Sequence, residues 1–275
     1  MAAKLAAAGG HELGRIETRR FPDGESYLRI ATDVSGRPVD LVCTLAHPDG
    51  QFLSLLFAAD AARDLGAASI RLVAPYLAYM RQDRRFKPGE AVTSVTFARL
   101  ISEAFDALVT VDPHLHRYPT LAAVYSIPAR ALHAADLIAD WIAAKVERPL
   151  VIGPDEESRQ WVSAVAARAG APFLVLRKQR QGDRDVSISV PELAPFAGLR
   201  PVLVDDIISS GRTMIEGARQ LSLHSMPKPV CVAVHALFAE DAYAGLSEVA
   251  EDIVTTDTVR HPSNAISVAG LIAGG

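Results

Sequence analysis

The sequence predicts an α/β protein whose sheets are mainly parallel and flanked by helices. Short apolar, β-branched runs alternate with longer segments of helical periodicity along the chain. The apolar runs are continuous rather than alternating, which is typical of strands that helices cover on both faces. The strand-helix-strand rhythm of the first half recurs in the second half, although no residue-level repeat accompanies it.

The first half opens with two short apolar runs, residues 39–45 and 70–74, which are predicted as strands because they are rich in β-branched residues. Between them, residues 51–65 have apolar residues at helical spacing, and Gly66 follows as a common helix stop. The same two patterns then predict a helix, a strand and a helix over residues 93–105, 108–111 and 133–146.

The second half repeats these signals. Residues 150–152 are predicted as an apolar strand, and residues 157–169 as a helix that stops at Gly170. Two strands, a helix and a strand follow over residues 173–176, 202–204, 213–221 and 230–235. Right-handed crossovers are expected between parallel strands of one sheet.

Length and composition limit the classes of function. The chain has 275 residues and a mass of 29.4 kDa, which suits about two domains. Lys and Arg number 28 and Asp and Glu number 32, giving a net charge of −4, so a general nucleic-acid binder is not expected. No run approaches the ~20 apolar residues of a membrane helix. The two cysteines, Cys43 and Cys231, lie in apolar runs and are expected as buried thiols in a reducing cytoplasm.

The strongest chemical signal lies at the end of the strand predicted over residues 202–204. Two acids, Asp205 and Asp206, follow the strand, and a loop of small residues leads into the next helix. Backbone N–H groups at a helix start can bind a phosphate, and adjacent carboxylates can accept hydrogen bonds from vicinal hydroxyls. The sequence therefore predicts a site for a ribose 5-phosphate group. The loop residues are Ser209, Ser210, Gly211, Arg212 and Thr213.

This segment resembles the phosphoribosyl-binding loop of type I phosphoribosyltransferases and of phosphoribosyl pyrophosphate (PRPP) synthetases. Two further motifs favour the synthetases, and the basic segment at residues 176–186 resembles the catalytic loop of their shorter, archaeal-like type. Residues 21–25, Phe-Pro-Asp-Gly-Glu, resemble a synthetase turn that contacts the adenine of ATP, usually across a subunit interface. Residues 75–84 resemble the ATP-binding segment of that family, and residues 81–87 carry a local charge of about +3, which suits a triphosphate.

The resemblance assigns candidate residues along the whole chain. ATP binding falls to Phe21, Asp23, Glu25, Arg81, Gln82, Asp83, Arg84 and His114, with Arg99 as a further candidate. Magnesium binding falls to His114 and Asp155, and His116 is a less certain partner. Lys178 and Arg180 match the Lys-x-Arg of a basic catalytic loop, which would supply charge to the transferring group.

The implied activity is ribose-phosphate diphosphokinase. The β,γ-diphosphoryl group of ATP would pass to the 1-hydroxyl of ribose 5-phosphate, giving PRPP and AMP, with Mg²⁺ as the cofactor. The resemblance also implies two similar domains of the phosphoribosyltransferase type I fold, residues 1–135 on the ATP side and 136–275 on the ribose 5-phosphate side. A homodimer or higher homo-oligomer is expected, with neither nucleic acid nor membrane as a partner.

Two alternatives stay open at this point. A type I phosphoribosyltransferase would consume PRPP, and a non-catalytic regulatory paralogue would bind nucleotide without turnover. Two departures from the family pattern also matter. The chain begins inside what would be the first helix, so the family's first strand is not expected, through either a truncated start or a different edge of the first sheet. Glu156, Glu157 and Ser158 stand where many members carry glycines.

Overall fold

The computed structural model describes residues 1–115, 117–181, 185–189 and 192–275. The chain forms two compact units, residues 1–132 with 269–275, and residues 133–268. The C-terminal segment, residues 269–275, was expected in the second domain. It belongs instead to the first unit, because the helix Ala269–Ala273 packs against the helix Ala2–Gly9 and the strand Ala107–Val111.

The first unit begins with a helix, which the family resemblance implied, and a two-stranded hairpin, which the sequence patterns did not predict. Its remaining elements alternate strand and helix up to residue 111, as expected, and a further strand at residues 129–132 was not predicted. The elements are α1 (Ala2–Gly9), β1 (Ile16–Arg20), β2 (Ser26–Ile30), β3 (Pro38–Val42), α2 (Phe52–Asp64), β4 (Ser69–Ala74), α3 (Thr93–Ala104), β5 (Ala107–Val111) and β6 (Ala129–Leu132).

The second unit has the same alternation and one additional hairpin. Its elements are α4 (Ala135–Lys145), β7 (Pro149–Gly153), α5 (Arg159–Ala169), β8 (Phe173–Val175), β9 (Arg177–Gln181), β10 (Asp185–Ser189), β11 (Arg200–Ile208), α6 (Arg212–Leu223), β12 (Val230–Ala236), α7 (Ala242–Val249), β13 (Asp252–Thr256) and β14 (Asn264–Ile266). A short 3₁₀ turn, Glu156–Ser158, precedes α5, so the helix begins two residues later than predicted.

Each unit has one parallel sheet, which confirms the predicted fold class. In the first unit the strand order is β3-β4-β5-β6, and in the second it is β14-β13-β12-β11-β7-β8. The antiparallel pairs β1–β2 and β9–β10 form separate hairpins. No helix among the described residues has the length and apolar character needed to cross a membrane.

The strand order of the second sheet reverses between β7 and β11. From β7 the chain moves outward to β8, and it then returns to the other side of β7 to form β11. Ligands of open α/β sheets bind outside the carboxyl ends of the strands at such a reversal. Two of the candidate ribose 5-phosphate residues, Asp205 and Asp206, lie at this place near the end of β11, and the candidate metal ligand Asp155 follows β7.

The centre of the second sheet is buried on both faces, as the continuous apolar runs indicated. Val202, Leu203 and Val204 are consecutive in β11 and all are fully buried. Helix α6 covers one face through Met214 and Leu221, which belong to the same apolar cluster as Leu203. Because β11 is packed on both faces, it gives the loop between β11 and α6 a fixed starting point.

Candidate active site

The loop between β11 and α6 has the geometry of a phosphate-binding helix start. Gly211 precedes the helix with φ 67°, a left-handed conformation that glycine adopts without steric cost. A Cβ at this position would also lie 3.5 Å from both the Cβ and the carbonyl oxygen of Ala242, so the loop and the start of α7 are in close contact. The first N–H groups of the twelve-residue helix α6 have no acceptor within the helix, and they are available to an anion.

The strand that contains the two acids is longer than predicted. β11 extends to Ile208, so Asp205 and Asp206 lie within the strand, near its carboxyl end, rather than after it. The backbone N–H of Asp206 donates to Oδ1 of Asp205 at 2.9 Å. Burial, followed by repulsion from the charge of Asp206, raises the pKa of Asp205 well above its ordinary value, and Asp155 adds a smaller repulsion.

Asp155 thus lies close enough to influence the pair electrostatically, as the adjacency of β7 and β11 suggests. Its Oδ1 accepts the N–H of Ser158 at 3.2 Å and caps the 3₁₀ turn. The Ser158 hydroxyl donates to the carbonyl of Asp155 at 2.6 Å. A Cβ on Gly153 would lie 2.4 Å from that hydroxyl oxygen, so only glycine fits where the turn folds back on β7.

One of the acids that depart from the family pattern, Glu156, has a cationic partner on the protein surface. Both carboxylate oxygens of Glu156 accept from Arg159, at 2.7 and 2.8 Å, and both side chains are about half exposed. The charge of Glu156 is therefore offset on the protein surface rather than added to the carboxylates at the strand ends.

Replacing Asp205 by asparagine is expected to stabilise the fold near neutral pH. Since the folded-state pKa is raised, wild-type stability is lost as the pH rises from the unfolded-state pKa, about 3.9, through the folded-state value. Asparagine keeps an acceptor for the Asp206 N–H and carries no charge. Thermal unfolding should therefore show a higher Tm for Asp205→Asn at pH 7.5, with the difference shrinking toward pH 4. Equal Tm values for the variant and the wild type across this range would contradict the raised pKa. Asp136→Asn, on an exposed part of α4, is the control for removing a carboxylate charge.

A turn at residues 237–240, which the sequence did not predict, forms hydrogen bonds at the start of the phosphate loop (residues 209–213). The N–H groups of Leu237 and Phe238 donate to the carbonyl of Ile208, and that of Ala239 donates to the carbonyl of Ser209, all at 2.9–3.0 Å. Phe238 and Glu240 adopt positive φ angles of 29° and 52°, which are uncommon for non-glycine residues. The lack of a glycine left no turn signal in the sequence.

In the first unit, four cationic side chains of the loop after β4 are exposed. They are Arg81, Arg84, Arg85 and Lys87. The Glu90 carboxylate accepts from the N–H groups of Phe86 and Lys87, and this folds the loop back on itself. The Arg84 guanidinium lies 4.8 Å from the centre of the Phe86 ring. The loop therefore presents a concentrated positive charge to solvent.

Asp83 differs from its neighbours in the same loop. Its side chain is 3% exposed, and both of its oxygens accept from Nη1 of Arg117, at 2.9 and 3.0 Å. The Asp83 carboxylate therefore has Arg117 as a protein partner, and its contact with ATP stays a prediction. The remaining candidate of this region, Arg99, pairs with Glu103 on the exposed face of α3.

The turn of the β1–β2 hairpin exposes the predicted adenine contact. Phe21 is 38% exposed, and the Arg19 guanidinium lies over the Phe21 and Tyr27 rings at 4.4 and 4.2 Å. Asp23 Oδ1 accepts the N–H of Glu25, while both side chains lie at the surface. A planar ring beside a stacked guanidinium is a surface on which a purine can stack.

The remaining candidates lie beyond strand ends or on the second hairpin. His114 follows β5 and is partly buried, and His116 lies outside the described residues. Lys178 and Arg180 lie on β9, opposite Ile188 and Val186 of β10. Within the described part of the chain, no three histidine, cysteine or acidic side chains are grouped so that they could hold a metal ion on their own.

The two parallel sheets place the chain in the α/β class, and an acid pair and a small-residue loop lie at the strand-order reversal of the second sheet. Residues 1–104 match the family model described as the N-terminal domain of ribose phosphate pyrophosphokinase, and residues 120–269 match that of the phosphoribosyl transferase domain. The chain belongs to the ribose-phosphate pyrophosphokinase family, and this confirms the family predicted from the motifs.

Full-length relatives support the same assignment. The ribose-phosphate pyrophosphokinase of Methanopyrus kandleri is 38% identical over 98% of this chain and 92% of its own length. That of Methanosarcina mazei is 37% identical over 99% of this chain and 90% of its own. The crystal structure of phosphoribosylpyrophosphate synthetase from Mycobacterium smegmatis matches the fold with a TM-score of 0.84, at 22% identity, over 99% of this chain and 92% of that one.

Proposed function

We propose that the protein transfers the β,γ-diphosphoryl group of ATP to the 1-hydroxyl of ribose 5-phosphate. The hydroxyl oxygen attacks the β-phosphorus, the bond from this phosphorus to the α–β bridging oxygen breaks, and PRPP, AMP and a proton are released. The observation that carries the proposal is the acid pair of β11 beside the phosphate loop, at the place where the second sheet reverses its strand order.

Ribose 5-phosphate binds to the second unit. The 5-phosphate accepts hydrogen bonds from the N–H groups at the start of α6 and from the hydroxyls of Ser209, Ser210 and Thr213, and Arg212 adds a positive charge. Asp206 and Asp205 accept hydrogen bonds from the ribose hydroxyls. Two anchors on one small molecule fix its orientation, and this contributes to catalysis by positioning the 1-hydroxyl.

ATP binds to residues of the first unit. Arg81 and Arg84 contact the polyphosphate, because they lie in the exposed cationic loop after β4. Gln82 belongs to the same segment. Phe21, with Asp23 and Glu25, binds the adenine, and by analogy with the family it does so for a neighbouring copy of the chain. A shared adenine site requires at least a homodimer, which light scattering can detect.

Mg²⁺ is the proposed cofactor, and the residues fit it. The carboxylates of Asp155, Asp205 and Asp206 lie at or near the carboxyl ends of the paired strands β7 and β11, and carboxylate oxygens are ligands that Mg²⁺ prefers. Mg²⁺ usually binds through one or two protein groups together with substrate phosphates and water. Asp155 and His114 would contact it, and the bound ion would neutralise charge on the polyphosphate.

Lys178 and Arg180 supply positive charge to the transferring group. Phosphoryl transfer depends mainly on positioning and on stabilising charge as it shifts to the leaving oxygen. Both residues lie on β9, which directly follows the end of β8 in the second unit. The assignment of Lys178 and Arg180 rests on the Lys-x-Arg match. Substitution of each residue by alanine tests it directly.

The proposal is tested by incubating the purified protein with ATP, ribose 5-phosphate and Mg²⁺ and separating the nucleotides by anion exchange. AMP and PRPP are expected to form in equal amounts, and only when ribose 5-phosphate is present. No AMP above background would overturn the proposal. Consumption of added PRPP with a free base would indicate a phosphoribosyltransferase, and stimulation of another synthetase without turnover would indicate a regulatory paralogue.

A further inference from the structure

We propose that Arg117 and Tyr118 are positioning residues that hold the ATP-binding loop after β4 against the segment after β5. The inference rests on the proposed function, since it assigns a role toward ATP. Neither residue belongs to the motifs that carry the family resemblance, and neither is expected to touch the substrate. They act through Asp83 and Gln82, which lie between the exposed arginines Arg81 and Arg84.

The first contact is the ion pair of Arg117 with Asp83. One guanidinium nitrogen donates to both carboxylate oxygens, at 2.9 and 3.0 Å. The Asp83 side chain is 3% exposed, whereas that of Arg117 is 45% exposed. A carboxylate removed from water in this way needs a charged partner, so loss of Arg117 should force the loop to move and rehydrate it.

The second contact fixes the backbone of the same loop. The Tyr118 hydroxyl lies 3.3 Å from the carbonyl of Asp83 and 3.0 Å from Oγ of the buried Ser94. The Ser94 N–H donates to the carbonyl of Gln82 at 3.3 Å. The two central residues of the loop are therefore held both by the segment after β5 and by the start of α3.

These contacts determine where two candidate ligands of the polyphosphate lie. Arg81 and Arg84 directly flank the held residues, and His114 precedes Arg117 by three positions in the segment after β5. Misplacement of a binding group by about 1 Å can cost 10²-fold in rate. The proposed role is to keep the arginines and His114 at a fixed spacing, and it predicts an effect on ATP rather than on ribose 5-phosphate.

The test compares Arg117→Ala, Arg117→Lys, Asp83→Asn and the double variant Asp83→Asn/Arg117→Ala. Arg117→Ala is expected to raise KM for ATP about tenfold, a typical size for loss of a charged hydrogen bond, and to leave KM for ribose 5-phosphate unchanged. Arg117→Lys should recover part of the loss. In the double variant the loss should be no larger than in Arg117→Ala, because the buried charge is also removed. Tyr118→Phe should have a smaller effect in the same direction.

Arg71→Ala is the matched control, since Arg71 forms a bidentate pair with Asp40 in the same unit at 2.7–2.8 Å. It should leave both KM values unchanged. Equal changes in both KM values for Arg117→Ala, or additive losses in the double variant, would overturn the proposal.

A readout that needs no turnover separates this inference from the proposed function. Backbone hydrogen exchange of residues 81–84 should speed up in Arg117→Ala but not in Arg71→Ala, even if the wild-type protein released no AMP. Unchanged exchange in this segment would overturn the positioning role by itself.

Discussion

Replacing Lys178 by alanine is expected to lower kcat for AMP release by about 10²–10³-fold, the usual loss when one donor to a developing charge is removed. The KM values for ATP and ribose 5-phosphate should change little, because the interaction is proposed to form mainly in the transition state. Arg180→Ala should behave in the same way. Initial rates of AMP release at saturating substrate measure the effect.

Lys145→Ala provides the control for the loss of a cation. Lys145 is exposed at the last turn of α4 and has no proposed role in the reaction. Its variant should retain the wild-type kcat. If Lys178→Ala turned over as fast as the wild type, the role given to β9 would be wrong, even though the reaction itself were correctly assigned.

Replacing Asp206 by asparagine is expected to lower kcat/KM for ribose 5-phosphate by about 10²-fold, since hydrogen bonds to a charged group contribute about 1.5–3 kcal/mol each. The loss should fall on ribose 5-phosphate, while ATP binding measured by calorimetry stays at the wild-type affinity. The wild-type protein should also prefer ribose 5-phosphate to its 2-deoxy analogue. Asp206→Asn should reduce that preference, because the carboxylate that accepts from the vicinal hydroxyls is lost.

Asp136→Asn is the isosteric control for this variant. The Asp136 side chain is 72% exposed on α4 and is 3.4 Å from Arg168. Its loss should affect neither substrate. If Asp206→Asn instead weakened ATP binding and left the sugar preference intact, the assignment of the acid pair to the ribose hydroxyls would be contradicted.

The strand-end chemistry could be predicted because it is local in sequence. A buried apolar strand, two acids, a small-residue loop and a helix start follow one another within residues 202–213. Each part has a physical signature that is visible without the fold. The proximity of Asp155 to Asp205 could be seen only in the fold, because it results from the pairing of β7 with β11.

The contacts that hold the loops could not be predicted, because they join residues far apart in sequence. Arg117 and Asp83 are 34 positions apart, and the sequence alone gave Asp83 a ligand-binding role by its motif. The turn at Phe238 holds the phosphate loop through backbone hydrogen bonds, which leave no trace in residue type. Helix α8 (Ala269–Ala273) joins the first unit through tertiary packing on α1 and β5, although it is last in the chain.

Transfer of label from ATP that carries ³²P at the β-phosphorus tests the central claim most directly. Transfer of the intact diphosphoryl group predicts that all transferred label appears in PRPP, in an amount equal to the AMP formed. It also predicts that no label is found in AMP, and that none appears in ADP beyond the amount formed without ribose 5-phosphate. Label recovered in ADP that depends on ribose 5-phosphate would contradict the account, because it would show transfer of a single phosphoryl group.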